Sequence, residues 1–509
     1  MTDSIARVAS GHPQTTAAAA AILEAGGNAV DALLAAAWSA CVAEPIFCSP
    51  GGGGCALLRL RGRSPQLLDF FTQTPRARRL DGIDFYPIQG NFGTDVQEFH
   101  VGMASVAVPG MVAGLFELHR RYASMPMSEL AAPATELARN GVELNAAQAL
   151  ALVILEPIVT ANAESARIFG LQAPCSALPG LGDRIVNRDL ARCIEELACR
   201  GPDLFYRGEI AAAISAMSAR GGGHLRPDDL SGYRVAWRRP IKWRLGEVQL
   251  WSNPPPAFGG LMVALMTRAL ERRLSADAEF GSPAHLDALI GAMRESENRR
   301  LELERPETLR CDRLLMRSFE KLVEPKLETS KGTTHISISD AAGNLAGMTL
   351  TNGEGCARAV PGCGFMLNNM LGEQDLNRLG FHNWPTNRRL SSMIAPTLLS
   401  RHGRLLMLGS GGSNRIRTAI AQVVCNMMHF DMGLDEAIRA PRVHLEGMRL
   451  SLEIDADFWP PQTASWLEDQ PMAEVRRWPP HSLYFGGVQA VSDHAAAADP
   501  RRGGTVWQR

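Results

Sequence analysis

The chain has no run of basic residues, no paired-cysteine spacing and no apolar stretch long enough to span a bilayer. Its 509 residues carry 52 Lys and Arg against 53 Asp and Glu, a formal net charge of −1. Without a polybasic patch, neither nucleic acid nor an anionic membrane is an expected partner. The ten cysteines (Cys41, Cys48, Cys55, Cys175, Cys193, Cys199, Cys311, Cys356, Cys363 and Cys425) show no CxxC pattern and no nearby histidine pair. They read as reduced, mostly structural thiols. No carboxylate and histidine cluster stands at ligand spacing, so no metal is expected, and no cofactor. The start MTDSIARVASGHP lacks a charged and an apolar leader segment, and the longest apolar run, Ala32 to Ala43, is short of a membrane span. The expectation is a soluble, cytoplasmic protein whose ligand is a small molecule.

What is present centres on KGTTHISISDAAGNLAGMTLTNG, Lys331 to Gly353. Ile336 and Ile338 alternate with His335, Ser337 and Ser339; a turn cluster, Asp340 to Asn344, interrupts; alternation resumes through Ala346, Met348 and Leu350. This pattern predicts a β-hairpin. A turn centred on Ala342 sets Ser339 opposite Leu345, Ile336 opposite Met348 and Thr333 opposite Thr351, with opposed Cβ atoms about 4.5–5.5 Å apart. Two hydroxyls then meet at the open end of the hairpin. Gly332 stands just before them, and a Gly-Thr bond opening a strand suits a self-cleaving N-terminal nucleophile. The threonine hydroxyl must attack its own preceding carbonyl, a contorted geometry that glycine permits. An ordinary hairpin also carries threonines, so the hairpin alone leaves both readings open.

Two glycine runs flank this element. Ser49 to Cys55, SPGGGGC, joins a helix to a strand, the reverse of a phosphate-cradling loop and without its lysine. It reads as glycines that let backbones pack closely. Gly409-Ser410-Gly411-Gly412-Ser413 follows a strand and opens a helix, Asn414 to Phe430, presenting backbone N–H groups to an anion. With no lysine, that loop suits a developing oxyanion. Elsewhere Asn28 and Asp31 form a helix cap, residues 102–201 read as a helical coat, a strand-like pair centres on Arg239 and Val248, and Val323 to Lys331 reads as an exposed linker.

In order along the chain, GHPQTTAAAAAILEAGGNAVDA, AEP with GGGG, VAVPGMVAGL, LSGYRV, NPPPAFGG, TTHISISDAAGN, LNN, LSSM, a glycine loop and ADPRR resemble the γ-glutamyltranspeptidase family of N-terminal-nucleophile (Ntn) hydrolases. The resemblance implies an α+β fold, a four-layer αββα sandwich built from both halves of one self-cleaved precursor. It implies a large chain, 1–332, supplying the helical coat and part of the central sheets, and a small chain, 333–509, carrying the nucleophile. The two chains form one globular unit, a heterodimer.

By the same resemblance Gly332–Thr333 is the self-cleavage site and Thr333 the nucleophile. Its freed α-amino group, unperturbed pKa roughly 7.7–8.0, takes the hydroxyl proton. Thr351 orients that hydroxyl, and Gly411, Gly412 and Ser413 offer N–H groups to the oxyanion. An acyl-enzyme follows, resolved by water or an amine acceptor. His335, two residues along the strand from Thr333, is expected to be structural.

The substrate-binding half departs from the family pattern. Phe71 occupies the place of the arginine that grips the substrate α-carboxylate. Met370 stands where a glutamine is expected, with Glu373 the nearest carboxylate. Asn352 falls one place early and Gly353 takes the expected asparagine position. Ser391 and Ser392 match the paired serines that help bind the carboxylate. The expected function is a γ-glutamyltransferase-like threonine amide hydrolase and acyltransferase, with glutathione metabolism its implied setting, acting on a γ-glutamyl or related small acyl amide. In that reading Arg76, Arg388 or Arg389 replaces the missing arginine. The alternatives are an acylase of the cephalosporin, glutaryl or oxamate amidohydrolase type, and an uncleaved binding or structural protein.

Overall fold

The computed structural model describes residues 5–92, 96–173, 175–303, 332–374, 376–377, 379–454, 459–468, 470–472 and 474–509. The expected linker from Val323 to Lys331, and Cys311, lie outside them.

The hairpin forms with the predicted register. Strand Thr334–Ser339 pairs antiparallel with Leu345–Thr351, setting Thr334 against Leu350, His335 against Thr349, Ile336 against Met348 and Ser339 against Leu345. It lies at the centre of a seven-stranded sheet ordered Thr505–Gln508, Arg7–Ser10, Thr334–Ser339, Leu345–Thr351, Gly53–Arg59, Gln66–Phe70 and Ala236–Arg238. Segments far apart in sequence alternate across it. Ala6 and Arg509 exchange both backbone hydrogen bonds, at 2.9 and 3.0 Å, closing the first strand against the last.

Both faces of the hairpin are covered. On one, Ile336, Ile338, Met348 and Leu350 join a core with helix Ala29–Ala43. All fifteen residues of that helix are buried, as expected where a helix is apolar on every side. It begins where expected: Asn28 accepts from Asp31 N–H while Asp31 accepts from Asn28 N–H. On the other face lies a six-stranded sheet, ordered Ala496–Ala498, Gly487–Ser492, Arg404–Gly411, Thr397–Arg401, Val248–Ser252 and Ile241–Leu245. Ser337 donates across to the Gln489 carbonyl at 3.1 Å. Helices Gly259–Arg273 and Arg415–His429 contribute to the core of this second sheet.

Two expectations change. The strand-like pair around Arg239 and Val248 is divided between the sheets: Ala236–Arg238 edges the first, while Ile241–Leu245 and Val248–Ser252 belong to the second. Pro240 separates them, and a proline cannot donate to a ladder. The glycine loop after Leu408 starts later than its composition implies, because the strand runs on to Gly411, which pairs with Gly487.

The run Gly51 to Gly54 packs as the sequence predicts. A Cβ on Gly52 would lie 2.3 Å from the Thr351 carbonyl oxygen, and one on Gly54 2.3 Å from that of Thr349. Side chains here would push the hairpin off the neighbouring strand.

Candidate active site

The Gly332 carbonyl is the meeting point. Thr333 Oγ and Thr351 Oγ each donate to its oxygen at 2.7 Å. Thr351 Oγ in turn accepts from Gly353 N–H at 3.1 Å, so that amide polarises the hydroxyl and the hydroxyl polarises the carbonyl. Gly332 N–H donates to Glu354 Oε1 at 3.1 Å, and Asn369 Oδ1 receives Glu354 N–H at 2.9 Å. Thr333 and Thr351 are both buried.

Glycine at 332 is a matter of space. Its φ is not in the left-handed region, but a Cβ there would meet the Gly353 oxygen at 2.8 Å and Phe47 Cδ1 at 3.3 Å. The conformational demand falls instead on Gly353, at φ 64°, where a Cβ would also strike Asn369 Oδ1 at 2.0 Å and Glu373 Oε1 at 2.3 Å. The asparagine expected at that position has no room here.

The far side of Thr333 is held by residues that sequence inspection missed. Arg502 Nη1 donates to the Thr333 carbonyl at 3.2 Å, and its guanidinium lies 4.9 Å from the Phe47 ring centre. Burial, and then the neighbouring Arg415, hold its pKa down at about 10. The motif ADPRR carries the local cause: Asp499 accepts from Arg501 N–H at 3.0 Å and caps the turn Pro500–Arg502. Arg501 Nε binds Glu453 at 2.8 Å, and Arg442 pairs with Asp499, all buried.

Glu44 completes this side. Its carboxylate receives Thr15 Oγ1 at 3.1 Å and also bonds the Thr334 hydroxyl. Burial raises its pKa to about 7, against the pull of those hydroxyls and of Arg502. The only signal in the sequence was the AEP triplet and the final arginine pair, too little to bring either beside Thr333.

The glycine loop reaches the same point. A Cβ on Gly411 would lie 2.0 Å from the Thr333 carbonyl oxygen, so only glycine lets that strand end pass over the threonine. Gly412 follows at φ 110° and Ser413 at φ 51°, turning the chain into helix Arg415–His429. A cavity of about 30 Å³ lies against Gly332, lined also by Glu354, Arg415, Arg502 and Phe47. His335 stands apart: its ring nitrogens contact Thr349 Oγ1 at 2.8 Å and Ser337 Oγ at 2.9 Å. Burial lowers its pKa to about 3, so it is a neutral structural imidazole.

The candidates for substrate contact sort differently. Gly53 pairs with Thr351, and a Cβ on Gly53 would sit 3.1 Å from the Phe71 carbonyl carbon. Phe71 therefore lies just beyond the strand beside Thr351. Its ring joins Met370, Trp384, Leu390 and Met393 in one apolar cluster. Arg389 already has partners within the protein. Its guanidinium is taken by the Phe71 carbonyl, the Tyr233 hydroxyl, the Arg234 carbonyl and, at 3.5 Å, Asp69. Arg76 and Arg388 are exposed. Asn352 is turned to Ser49 Oγ, at 3.1 Å, and to the Met366 carbonyl. Glu373 lies beside Gly353. Ser391 is half-buried, while the Ser392 hydroxyl is buried with no hydrogen-bond partner among the described residues.

Comparison with known proteins decides the kinship. The family profile described as gamma-glutamyltranspeptidase matches residues 15–508. This chain belongs to the gamma-glutamyltranspeptidase family. It is similar to the acylase ACY 1 proenzyme of Pseudomonas sp. (strain V22), 31% identical over 480 residues, covering 89% of this chain and 84% of that one. The glutathione hydrolase proenzyme of Escherichia coli (strain K12) is 29% identical over 488 residues, covering 88% and 82%. The crystal structure of a cephalosporin acylase from Bacillus halodurans superposes at a TM-score of 0.77 with 23% identity, covering 99% and 96%, which speaks to the fold. As a gamma-glutamyltranspeptidase family member the protein is an α+β enzyme of the hydrolase and transferase kind. Among the described residues no cluster of His, Cys, Asp or Glu is placed to hold a metal ion, and no helix is long and apolar enough to cross a membrane.

Proposed function

We propose that this protein is a self-processing N-terminal threonine amide hydrolase and acyltransferase. In this reading residues 1–332 and 333–509 build a four-layer αββα sandwich together and remain a heterodimer once the Gly332–Thr333 bond is broken. The observation that carries the reading is the pair of hydroxyls, Thr333 Oγ and Thr351 Oγ, both 2.7 Å from the Gly332 oxygen.

That geometry supports self-processing. Thr333 Oγ adds to the Gly332 carbonyl carbon, and the Thr351 hydroxyl, backed by Gly353 N–H, stabilises the oxyanion. The C–N bond breaks as the Thr333 nitrogen takes a proton, leaving an ester on Oγ. The cavity beside Gly332, about 30 Å³, has room for one water to hydrolyse that ester. The freed α-amine then serves as base for Thr333 Oγ in turnover. Gly411, already against Thr333, and Gly412, next along, offer N–H groups to the substrate oxyanion. Water or an amine resolves the acyl-enzyme.

For the acyl group, two features pull apart. Phe71 and Met370 in one apolar cluster, with Arg389 held elsewhere, favour a small acyl chain without the α-carboxylate and α-amino head of a γ-glutamyl group. Against this, Glu373 lies beside Gly353 and the buried Ser392 hydroxyl has no partner among the described residues, polar features that favour a γ-glutamyl substrate. Processed protein should be offered glutathione, γ-glutamyl-p-nitroanilide and glutaryl and aliphatic amides, with mass spectrometry of the acyl group left on Thr333. An acyl adduct from the non-glutamyl amides is expected. Preference for γ-glutamyl-p-nitroanilide would overturn the acyl assignment, and no adduct on Thr333 from any amide would overturn the nucleophile.

A further inference from the structure

Two thiols outside the active site are brought together from opposite sides of the Gly332–Thr333 bond. Cys193 lies on helix Arg188–Arg200, buried with Leu190, Ile194 and Leu197. Cys363, half-buried, lies in a tight turn in which its N–H donates to the Val360 carbonyl at 3.1 Å and Val360 N–H donates to the Phe365 carbonyl at 2.9 Å. That turn is fastened to the start of the helix. Asn187 Nδ2 donates to the Gly364 carbonyl at 2.8 Å and Arg192 Nη2 to the Gly362 carbonyl at 2.9 Å. Gly364 presses so closely on the helix that a Cβ would lie 2.3 Å from Leu190 N. Phe365, next along, stacks on Phe205 with ring centres 6.0 Å apart.

In this clamp the Cys193 and Cys363 thiols come close enough to act on one another: contact with Cys193 draws the Cys363 thiol below its ordinary range, while contact with Cys363, and then burial, pushes Cys193 well above it. Cys363 is half-buried and Cys193 buried, the arrangement of an accessible attacking thiol with a resolving partner. Cys41 and Cys48 also lie near each other, but both are fully buried and both precede Gly332.

We propose that Cys193 and Cys363 are a redox-responsive pair that closes to a disulfide by exchange with a small-molecule disulfide. The Cys363 thiolate attacks one sulfur of R–S–S–R, forming a mixed disulfide and expelling RS⁻, which takes up the proton Cys363 gave. Cys193 then loses its proton and attacks the Cys363 sulfur, expelling the second RS⁻, which is protonated in turn. One small disulfide and two protein thiols thus become one protein disulfide and two small thiols. Where the proposed processing has occurred, the bridge joins the two chains covalently; that consequence rests on the processing reading, whereas the bridge does not.

The test treats the full-length protein with oxidised glutathione, blocks remaining thiols with an alkylating agent and maps the peptides without reduction. The expected result is a peptide pair joined through Cys193 and Cys363 that separates on reduction. In Cys193→Ser, Cys363 should stop at the mixed disulfide, visible as an added glutathione. In Cys363→Ser no bridge should form, while Cys199→Ser, exposed on the same helix, should bridge as the parent does. On a non-reducing denaturing gel, processed parent protein should then run as one band. A folded parent with both thiols still alkylated after oxidation would overturn the proposal, as would a Cys363 adduct that never resolves. Because the map reads the bridge in an intact chain too, failure of processing is told apart from failure of the bridge.

Discussion

The two ends of the site are built in opposite ways. Around Thr333 the main ties run to backbone: Thr351 by Gly353 N–H, Gly411 by its ladder, Arg502 to a main-chain carbonyl. Phe71 instead belongs to a large apolar core cluster that also holds Met370, Trp384, Leu390 and Met393. In the proposed function bond breaking then depends on strand register, which a substitution moves only by disturbing the sheet. Recognition in that reading depends on side-chain shape, which a substitution changes directly. Within one family this allows the chemistry to stay while the acyl group changes.

Mutations can separate these ends. Thr333→Ala carries the largest expected effect: the chain stays whole on a denaturing gel and amide turnover falls by about 10⁶-fold. A cleaved Thr333→Ala protein would take the role of nucleophile away from Thr333. Thr351→Ala removes a donor from the Gly332 oxygen and should slow processing by about 3–4 kcal/mol in barrier, followed by intact mass over time. An unchanged rate would move oxyanion support elsewhere.

Glu44→Gln tests the buried carboxyl behind Thr334. Because burial raises its pKa from 4.5 to about 7, the folded chain holds this proton more tightly than the unfolded one. Its contribution to stability is therefore full below pH 4.5 and is lost as pH rises through about 7. Glu44→Gln, neutral throughout, should flatten a fall on the order of 3 kcal/mol, read by urea unfolding on either side of that window. An equal fall in the variant would assign the pH dependence to another group.

Arg502→Met should slow processing by about 2 kcal/mol, the scale of a charge-assisted hydrogen bond, without changing which amides are used. Phe71→Leu should do the reverse. Processing stays at the parent rate, and selectivity in kcat/KM moves roughly tenfold toward bulkier acyl chains. A loss of processing in Phe71→Leu would mean the two ends are not separable.

Much of the bond-breaking end was legible because its determinants are local. Alternation and a five-residue turn set the hairpin register, Asn28 and Asp31 set a helix start, and the glycine run between Ser49 and Cys55 announced close packing. Glu44 and Arg502 were not legible. They reach Thr333 only because helix Ala29–Ala43 ends under one face of the hairpin while the turn Pro500–Arg502 folds over its end. Pairings of that separation leave no periodic trace. The same limit hid the fate of Arg389: a charge near the missing arginine looked like a substitute, yet Tyr233 and Asp69 had already engaged it.

The backbone bonds between Ala6 and Arg509 make the fold nearly a closed ring of chain. Joining its ends with a short linker and opening the ring at Thr333 would give a circular permutant. Such a protein would carry Thr333 and its free amine at the front once the initiator methionine is removed, with no Gly332–Thr333 bond to cut. Maturation and turnover, coupled in the proposed function, would become two properties that can be varied one at a time.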